Sequence, residues 1–584
     1  MKRWLVERGG GLALGVLVFY LWVASPYITE NDNAEFSTLG SIGGIAHPSG
    51  YPSTILWLRL FSWLPTSAAN SASIATAVLG ALTILTLHAA CRAWGARPFA
   101  ATIATAIFAA APLVARYFTA AEAFALNQLV VALVVWLAAV RGPLTGEKRV
   151  LVLAIVAGIG LSNHMTCALI APVGLLGVVR GVREANRRVL AIGLAVLGLV
   201  IGLAPYLYLF IAPANLQSWN VPSDVSGLLD IALRRQYGGA FTFANSDQPV
   251  ELVTQLGAFA ASVGRSWLWL LPVLGVVTLA HRCAVRRDDG DGEPRIAWGL
   301  LALALLLSGP FLATRFDVPM NWFGYYIVHR FHLMPILLLA IPIACGLDSL
   351  GRWLPQRSLW GTHARRTGLG VVVFAVLAFA SLPYLARFHS PAMERFVRNT
   401  LRALPPDAVI IGNTNIIDVG TRYLQLTQGE RPDILFFRGG GVVELDWYRQ
   451  RFARYGIRLA KPPGRESPFE LTEQIFALGR PLFVHSTELL LLGNYPSYPY
   501  GTLVRVLPRG TQPPPSTEIL TMNRDLFARY DLDYATPGPD DEVLTSAHGQ
   551  YVTMWQSIGQ LLRRDGKVAE AAWAFDLARQ LAPR

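Results

Sequence analysis

The sequence predicts an α-helical polytopic membrane protein, followed by a soluble α/β domain and a single helical hairpin of the tetratricopeptide type. Of its 584 residues, 53% are hydrophobic and only 15% are charged, and the mean hydropathy is +0.40. Such a chain is more apolar than ordinary soluble proteins. Apolar runs of membrane-spanning length recur up to about residue 388, and beyond Pro391 the hydrophobicity falls and the pattern changes.

A bilayer span needs about 20 mostly apolar residues. This length predicts about eleven membrane helices. The first is a retained helix, since no convincing small-x-small cleavage site follows the basic, apolar N-terminus. The predicted helices lie near residues 10–27, 68–91, 97–115, 119–140, 149–163, 165–180, 188–211, 266–282, 296–313, 331–349 and 368–388. The short pair 149–163 and 165–180 is alternatively one re-entrant unit, and the sidedness of everything after it would then change.

Basic residues occur in every second loop between these segments. The positive-inside rule therefore predicts a cytoplasmic (inner) membrane protein whose N-terminus is cytoplasmic and whose loop 28–67 and residues after 389 are extracytoplasmic. The net charge of +12 follows from this topology, and without aromatic interleaving or a recognisable motif it predicts no nucleic-acid partner. The clusters are Lys2, Arg3 and Arg8; Arg92 and Arg97; Arg141, Lys148 and Arg149; Arg180, Arg183, Arg187 and Arg188; Arg282, Arg286, Arg287 and Arg295; and Arg352, Arg357, Arg365 and Arg366.

Three domains are predicted: a transmembrane domain over residues 1–390, an α/β domain over residues 391–545 and a helical hairpin over residues 546–584. Short β-rich runs such as AVIIGNT and PLFVHS alternate with polar helical runs in the second domain, which has no Walker A loop and no GxGxxG. The hairpin has tetratricopeptide spacing, and since one repeat cannot bury its own face it either caps the α/β domain or binds a protein partner. The repeat positions are Trp555, Ile558, Gly559, Leu562, Ala571, Phe575, Ala578 and Pro583.

An acidic loop directly follows the first span and reads TENDNAEFSTLGSIGGIAHPSGYP. Asp32 and Glu35 are three residues apart and would share a face of a helical turn on the extracytoplasmic side. Such acids are either a helix cap or solvated loop residues, or one of them is a general base that activates a hydroxyl nucleophile. The same loop carries His47 between small residues and prolines.

Other polar residues fall at outward helix ends. Glu122 and His164 lie on the same predicted side as Asp32, and each is either a satisfied interhelical hydrogen bond or part of a site. Arg234 and Arg235 are either headgroup contacts or a clamp for a phosphate leaving group.

Arg330 lies between His329 and His332 where a helix begins. Two histidines at i and i+3 without further ligands do not define a metal site, so no metal site is predicted. The four cysteines, Cys91, Cys167, Cys283 and Cys345, show no C-x-x-C spacing and predict neither a zinc site nor a disulfide framework.

The motifs DNAEF, AHPSGYP, AAEAFALN, GLSNHMT and SWNVPSDVSGLLDIALRRQYGG together resemble those of the protein O-mannosyltransferase-like membrane glycosyltransferases, which are of the GT-C type. The likeness covers roughly the first 240 residues well and the remainder loosely. Residues 404–434 resemble the soluble domain that bacterial members carry. There, Gly412, Asn413, Thr414 and Asn415 replace an acidic Gly-Asp-Asn-Asp run, so this turn is not expected to bind a ligand.

The resemblance implies a GT-C-like fold for residues 1–390 and transfer of a sugar, mannose or another hexose, from a polyprenyl-phosphate donor. The acceptor is then an extracytoplasmic hydroxyl, of protein Ser/Thr or of an envelope lipid or glycan. On this reading Asp32 is the base of an inverting displacement and Glu35 positions acceptor or sugar. Arg234 or Arg235, with Arg330, neutralises the phosphate, while His47 orients the loop or contacts the donor, and Glu122 and His164 shape the donor pocket.

No cofactor is implied beyond the lipid-linked sugar, and a requirement for a divalent metal is left open. Membrane lipids and an extracytoplasmic protein or envelope acceptor are the expected partners. Two other classes stay open from the residues alone. A transporter would also place acids and histidines in the membrane, although here they lie at helix ends and no inverted repeat is visible. A non-catalytic envelope assembly or scaffold protein could use the soluble domain and the hairpin as binding surfaces.

Overall fold

The computed structural model describes residues 9–583 except 238–250, 286–291, 317, 354–362, 413, 438–445, 459–467, 486–494 and 540. The chain forms two compact units that each draw on several segments. The first comprises Met1–Pro26, Ala46–Ala212 and Pro222–Ala386, and the second comprises Tyr27–Ile45, Pro213–Val221 and Arg387–Arg584. Several of the predicted basic-loop residues, among them Lys2, Arg286 and Arg357, fall outside the described residues.

The first unit is helical. Its main helices are Gly10–Trp22, Pro52–Arg59, Ala68–Ala93, Pro98–Ala110, Pro112–Phe118, Phe124–Ala138, Gly146–Asn163, Ala171–Glu184, Arg188–Leu203, Val225–Ala232, Leu252–Ser266, Leu270–Ala284, Arg295–Leu306, Trp322–Val328, Leu333–Trp353 and His363–Phe388. Short 3₁₀ turns extend several of them, at Met165–Ile170, Ala204–Phe210, Arg235–Tyr237 and His329–His332, and a π-helical turn spans Leu307–Phe311.

By length and composition, five helices among the described residues can cross a membrane, and seven if each of two bent pairs counts as one span. Three shorter apolar helices are Gly10–Trp22, Phe124–Ala138 and Arg295–Phe311. The first unit is thus a multi-pass membrane body, while the total of about eleven spans stays a prediction.

Two predicted spans contain a sharp break. Pro98–Ala110 and Pro112–Phe118 bend by 70° at Pro112, which lacks an N–H and cannot continue the preceding helix. The second break, of 99°, separates Leu252–Ser266 from Leu270–Ala284, and there Leu268 and Trp269 both adopt positive φ angles. The predicted helix 119–140 begins only at Phe124, so Glu122 lies in the turn before it.

The core of the first unit buries large aromatic residues, and two of its tryptophans use their indole N–H groups in hydrogen bonds. Trp267 donates its indole N–H to the carbonyl of Ile336 at 3.0 Å, and Trp94 donates to the carbonyl of Val135 at 3.0 Å. An unpaired indole N–H in an apolar interior would be costly, so these bonds fix the rings in one orientation.

The second unit contains a five-stranded sheet: β1 Val409–Ile411, β2 Leu435–Phe437, β3 Leu482–Val484, β4 Ser497–Tyr500 and β5 Leu503–Val506. The strand order is β2-β1-β3-β5-β4. β1 pairs in parallel with β2 and β3, and β5 pairs antiparallel with β3 and β4. The parallel strands read VII, LFF and LFV and are wholly buried, as expected for strands covered on both faces.

The second unit also contains helices, and the last two of them lie at its C-terminal end. The helices are Asn31–Ile42, Ala392–Ala403, Asn415–Gln428, Asp446–Arg454, Pro468–Ala477, Ser516–Phe527, Val543–Arg564 and Val568–Leu581. The last two pack as a helical pair through Trp555, Ile558 and Leu562. Gly559 allows their close approach, because a Cβ there would lie 2.7 Å from the ring of Phe575. Whether this pair is a true tetratricopeptide repeat stays a prediction.

The grouping of segments differs from the predicted boundary at residue 390. Helix Asn31–Ile42 and residues 213–221 group with the C-terminal segment and not with the membrane helices. The reason is a set of long-range bonds, among them the backbone N–H of Ile28 to Glu394 Oε2 at 3.2 Å. Local sequence patterns carry no information about contacts between residues 366 positions apart.

Candidate active site

The helix Asn31–Ile42, called the carboxylate helix below, carries both acids of the DNAEF motif. Its start is set by Asn33, whose Oδ1 accepts the backbone N–H of Thr29 at 3.1 Å, and Gly43 ends it with a φ of 82°. Asp32 lies in the first turn, where a negative charge is favoured by the helix dipole. Asp32 is half-buried, whereas Glu35 is 5% exposed.

The two carboxylates of this helix lie within 4.8 Å of each other. Two carboxylates at this separation can divide the work of a general base and a positioning group, or can jointly hold a divalent cation. Asp32 is the more accessible of the two, so it is the better placed to reach an incoming hydroxyl. Both residues are also engaged with neighbouring groups of the protein.

The AHPSGYP turn lies in the first unit and packs against the GLSNHMT segment. Its carbonyl at His47 accepts the N–H of Gly50 at 2.8 Å, and Tyr51 then begins the helix Pro52–Arg59 with proline at its first position. The Tyr51 ring lies 4.9 Å from that of His47 and 5.7 Å from that of His164. Tyr51 therefore connects the two histidines that the sequence analysis singled out.

The GLSNHMT segment is held by side-chain hydrogen bonds at the end of helix Gly146–Asn163. Ser162 and Ser53 share a hydrogen bond of 2.7 Å, and Asn163 accepts from the hydroxyl of Thr54. Asn163 also donates to the carbonyl of Ala123 at 3.0 Å. The segment is thereby tied both to the helix after the AHPSGYP turn and to the residue that follows Glu122.

Glu122 forms a buried ion pair with Arg330. The guanidinium Nη1 lies 3.1 Å from Glu122 Oε1, and the Arg330 and Glu122 side chains are 9% and 1% exposed. Arg330 also lies over the Tyr326 ring at 4.6 Å. A charge in the apolar interior requires a partner of opposite sign. Arg330 and Glu122 supply that partner for each other.

Aromatic rings complete this cluster in the first unit. Phe124 lies 4.7 Å from His164 and 5.2 Å from Phe331, and the His164 and Phe331 rings are 5.8 Å apart. His164 is oriented by Thr166, whose hydroxyl and backbone N–H approach Nδ1 at 2.8 and 3.2 Å. The structure thus brings together His47, Glu122, His164 and Arg330, which the sequence analysis had named from four separate motifs.

Arg234 and Arg235 form no ion pair or hydrogen bond with His47, Glu122 or His164 among the residues that the structure describes. Arg235 pairs with Asp230 at 2.6 Å, and both side chains are about half exposed. Arg234 adopts a φ of 55° and lies 5.5 Å from the Tyr237 ring. The residues that follow, from 238 to 250, are outside the described ranges, as is Asn413 in the C-terminal turn.

The sequence analysis missed polar residues beside Arg330. A small pocket near its guanidinium is lined by Asn127, Gln128, Thr166 and Ser308 together with apolar side chains. Gln128 is fully buried, and neither of its amide atoms has a hydrogen-bond partner among the described residues. The signal was visible as an Asn-Gln pair within the apolar run FALNQLVVALVV, where polar residues carry a cost.

Comparison with known proteins identifies a family model and two relatives that resemble this chain. Residues 32–188 match the family model described as the Protein O-mannosyl-transferase TMEM260 N-terminal domain. Over 486 residues the chain is 26% identical to the mouse Protein O-mannosyl-transferase TMEM260, covering 79% of this chain and 67% of that protein. The Dictyostelium discoideum protein of that name is 21% identical over 482 residues, covering 75% of this chain and 58% of its own.

Solved structures of ArnT from Cupriavidus metallidurans share the fold. The form bound to undecaprenyl phosphate matches with a TM-score of 0.52 and 12% identity, and the apo form with 0.54 and 14%. Each match covers 87% of this chain and 99% of the other.

The membrane helices and the named relatives support a membrane glycosyltransferase, and its fold resembles that of the GT-C enzyme ArnT. Within that class the chain is similar to the protein O-mannosyltransferase-like proteins, whose N-terminal domain model matches residues 32–188. The resemblance inferred from the DNAEF, AHPSGYP and GLSNHMT motifs is therefore confirmed. The chain spans about two thirds of the length of the mouse relative and less of the Dictyostelium relative.

Proposed function

We propose that the protein transfers mannose or another hexose from a polyprenyl-phosphate carrier to an extracytoplasmic hydroxyl, with protein Ser/Thr as the acceptor. The acceptor is suggested by the names of the relatives, and the carrier by the undecaprenyl phosphate bound to one ArnT structure. The observation that carries the proposal is the carboxylate pair of Asp32 and Glu35, which stands at the first positions of the matched region 32–188.

The proposed reaction is a single inverting displacement. Asp32 takes the proton of the acceptor hydroxyl while the hydroxyl oxygen forms a bond to the anomeric carbon of the donor sugar. The bond from that carbon to the phosphate oxygen breaks, and its electron pair leaves with the polyprenyl phosphate. Asp32 takes the role of base because it is the more exposed carboxylate, and Glu35 positions the acceptor or the sugar.

Arginines of the first unit would stabilise the negative charge that develops on the phosphate. Arg330 supplies a buried guanidinium, which Glu122 neutralises and orients in the resting state. Arg234 or Arg235 would contribute from a more exposed position. His47 and His164, joined through the Tyr51 ring, would contact donor hydroxyls or fix the AHPSGYP turn.

On this proposal the protein resides in the cytoplasmic membrane with its N-terminus inside and its C-terminal domains outside. The lipid-linked sugar is a co-substrate and no other cofactor is required. Asp32 and Glu35 are the residues of the carboxylate helix that could hold a divalent cation, and His47 follows Glu35 by twelve positions in the chain. Transfer assays with added Mg²⁺ or Mn²⁺ and with a chelator would show whether a cation is involved.

The test is transfer of radiolabelled sugar by the purified protein. Wild type, Asp32→Asn and Glu147→Gln receive polyprenyl-phosphate mannose or another polyprenyl-phosphate hexose, with an extracytoplasmic protein extract as acceptor. Glu147 is the matched control, because it also lies in the first turn of a helix. A general base contributes roughly 10²–10⁴-fold to the rate, so Asp32→Asn should lose at least 100-fold and Glu147→Gln should retain wild-type transfer.

The outcomes separate the elements of the proposal. Label in lipid or glycan but not in protein would show that the acceptor is not a protein, while the proposed displacement at the anomeric carbon would stand. Wild-type activity in Asp32→Asn would show that Asp32 is not the general base. No transfer from any donor would overturn the proposed function in favour of a transporter or a scaffold.

A further inference from the structure

The carboxylate helix is held at both ends by residues of the second unit. Before the helix, the backbone N–H of Ile28 donates to the buried Oε2 of Glu394 at 3.2 Å. After it, the carbonyl of Gly43 accepts from Asn215 Nδ2 at 2.8 Å. The side of the helix packs against helix Asn415–Gln428. The element that carries Asp32 is therefore fixed at three places.

The C-terminal end of this helix is the most closely bound. Ile45 donates its backbone N–H to the hydroxyl of Ser218 at 2.9 Å and accepts from the N–H of Trp219 at 2.9 Å. Gly44 has a φ of +125°, and a Cβ at this position would lie 2.7 Å from Leu39 Cδ2 and 3.0 Å from Asn215 Nδ2. Only glycine allows the chain to pass this closely under residues 213–221.

Arg422 connects these attachments. From helix Asn415–Gln428 it forms an ion pair with Asp418 and donates from Nη1 to the backbone carbonyl of Leu216 at 3.2 Å. Its side chain is 12% exposed, so the fork of the guanidinium is held among protein groups. Arg422 thus ties the helix that flanks the carboxylate helix to the segment that binds its C-terminal end.

A second connection holds the other end. Arg398 donates to Glu394 at 3.0 Å and to Glu430 at 2.9 Å, and Glu394 is the residue that accepts the N–H of Ile28. Glu394 thereby binds the entry to the carboxylate helix, and Arg398 links Glu394 to Glu430. The entry to the helix is thus fixed by the charged group of Glu394, and the segment that binds its other end is held by the charged group of Arg422.

We propose that the C-terminal α/β domain is a positioning device for Asp32, with Arg422 as a positioning residue and Glu394 and Ser218 as attachment points. This inference rests on the proposed function, in which Asp32 is the base. A catalytic carboxylate on a short helix without such attachments would sample many orientations, whereas a displacement of about 1 Å can cost 10²-fold in rate. On this proposal Arg422, Glu394 and Ser218 act through the position of the carboxylate helix.

The experiment compares Arg422→Lys with Arg431→Lys in the full-length protein. Lysine at 422 can retain the pairing with Asp418 but lacks the forked geometry that also reaches Leu216. Arg431 is the matched control in the same domain, because it pairs with Asp433 at 2.8 Å and donates to the carbonyls of Leu401 and Leu404. Those groups belong neither to the carboxylate helix nor to residues 213–221.

Arg422→Lys should lower kcat by about 10-fold with an unchanged KM for the donor, while Arg431→Lys keeps the wild-type kcat. In an Asp32→Asn background the Arg422→Lys change should have no further effect, since residues that act through one group are not additive. Equal kcat in the two lysine variants, or a full effect of Arg422→Lys in the absence of Asp32, would overturn the inference.

Hydrogen–deuterium exchange supplies a readout that does not depend on transfer. Arg422→Lys should accelerate exchange in residues 31–42 relative to both wild type and Arg431→Lys. Unchanged exchange there overturns the positioning role, whatever the activity of the protein. Absence of transfer by the wild type would instead count against the proposed function alone.

Discussion

Arg330 and Glu122 are separated by 208 residues in the chain, yet they form an ion pair of 3.1 Å that is almost wholly buried. The pair joins the turn before helix Phe124–Ala138 to the turn His329–His332. Phe331, the residue after Arg330, packs against the rings of Phe124 and His164. Since the proposed phosphate clamp includes Arg330, its counter-ion affects both the stability of the first unit and the chemistry.

Removal of Glu122 should strongly destabilise the protein. Glu122→Gln leaves the Arg330 charge buried with a weaker partner, and such losses cost about 3–5 kcal/mol. The double variant Glu122→Gln/Arg330→Met should be less destabilised than the sum of the two single variants.

Thermal unfolding in detergent measures the stability of all three variants, and Asp230→Asn serves as control. Asp230 pairs with Arg235 at an exposed position, and loss of that pair should cost at most about 1 kcal/mol. Equal losses at the two sites would contradict the buried-pair interpretation.

The motifs at the helix ends could be predicted from the sequence because each is local. Glu122 and His164 stood out as polar residues at the borders of apolar runs, and the alternation of basic loops predicts that they lie on one side of the membrane. In the structure Phe124 and Tyr51 bring them into one cluster with His47. The sidedness predicted from the local sequence stays a prediction, whereas the clustering of these residues is a feature of the structure.

The partners of these residues could not be predicted in the same way. Arg330 was named as a phosphate ligand, but nothing in its local sequence indicates Glu122 as its counter-ion. Likewise the grouping of the carboxylate helix with the C-terminal domain depends on Glu394 and Arg422, which occupy ordinary amphipathic helices. The break at Leu268 and Trp269 lies between Gly264 and Pro272, but the two residues with positive φ are themselves neither glycine nor proline. Long-range contacts decide these features, and periodicity does not report them.

The helical pair at the C-terminus should lose stability in acid. His548 donates from Nε2 to the carbonyl of Leu581 at 2.8 Å and lies 3.0 Å from the Tyr534 hydroxyl, and burial lowers its pKa below the ordinary value near 6.5. The unfolded chain then binds the proton more tightly, so the stabilisation is complete above about pH 6.5 and declines as the pH falls toward the folded pKa.

Exchange of residues 543–581, measured between pH 7.5 and 5, tests this expectation. His548→Gln should show a weaker pH dependence than wild type. His485→Gln should remove a separate contribution, because burial also lowers the pKa of His485 and its Nε2 lies 2.8 Å from Gln550 Oε1. Retention of the full pH dependence in His548→Gln would show that its titration does not control the helical pair.

Thr421→Val should raise stability by about 1 kcal/mol. The Thr421 side chain is fully buried in helix Asn415–Gln428, and its hydroxyl has no hydrogen-bond partner among the described residues. Burial of an unsatisfied polar group costs roughly 1–3 kcal/mol, and an apolar group of the same shape avoids that cost. Chemical unfolding of the purified protein measures the change.

The matched control for this substitution is Thr400→Val. Thr400 shares a 2.7 Å hydrogen bond with the Thr502 hydroxyl and donates to the carbonyl of Phe396 at 2.9 Å. Its replacement leaves the Thr502 hydroxyl without this partner, so it should destabilise by about 1–3 kcal/mol. If Thr421→Val were destabilising to the same degree, a bound water would have to satisfy the Thr421 hydroxyl.

Two helices of the first unit pack backbone to backbone, and a single methyl group should separate them. Gly198 and Gly202 form a GxxxG pattern in helix Arg188–Leu203, which faces helix Gly146–Asn163. A Cβ at Gly202 would lie 2.2 Å from the carbonyl oxygen of Ile155 and 2.8 Å from the Cα of Gly158. Small residues at such crossings allow the van der Waals contact that holds membrane helices together.

Gly202→Ala should therefore destabilise the first unit, because the methyl group meets rigid backbone and not a movable side chain. Overpacking of this kind costs about 1–3 kcal/mol. Gly193→Ala on the same helix is the control, since a Cβ there meets no atom within 4 Å, and it should change stability by no more than about 0.5 kcal/mol. Thermal unfolding in one detergent compares the two directly. An equal melting temperature for both variants would mean that the helices can separate without loss, and that the close approach of Gly202 and Gly158 does not contribute to stability.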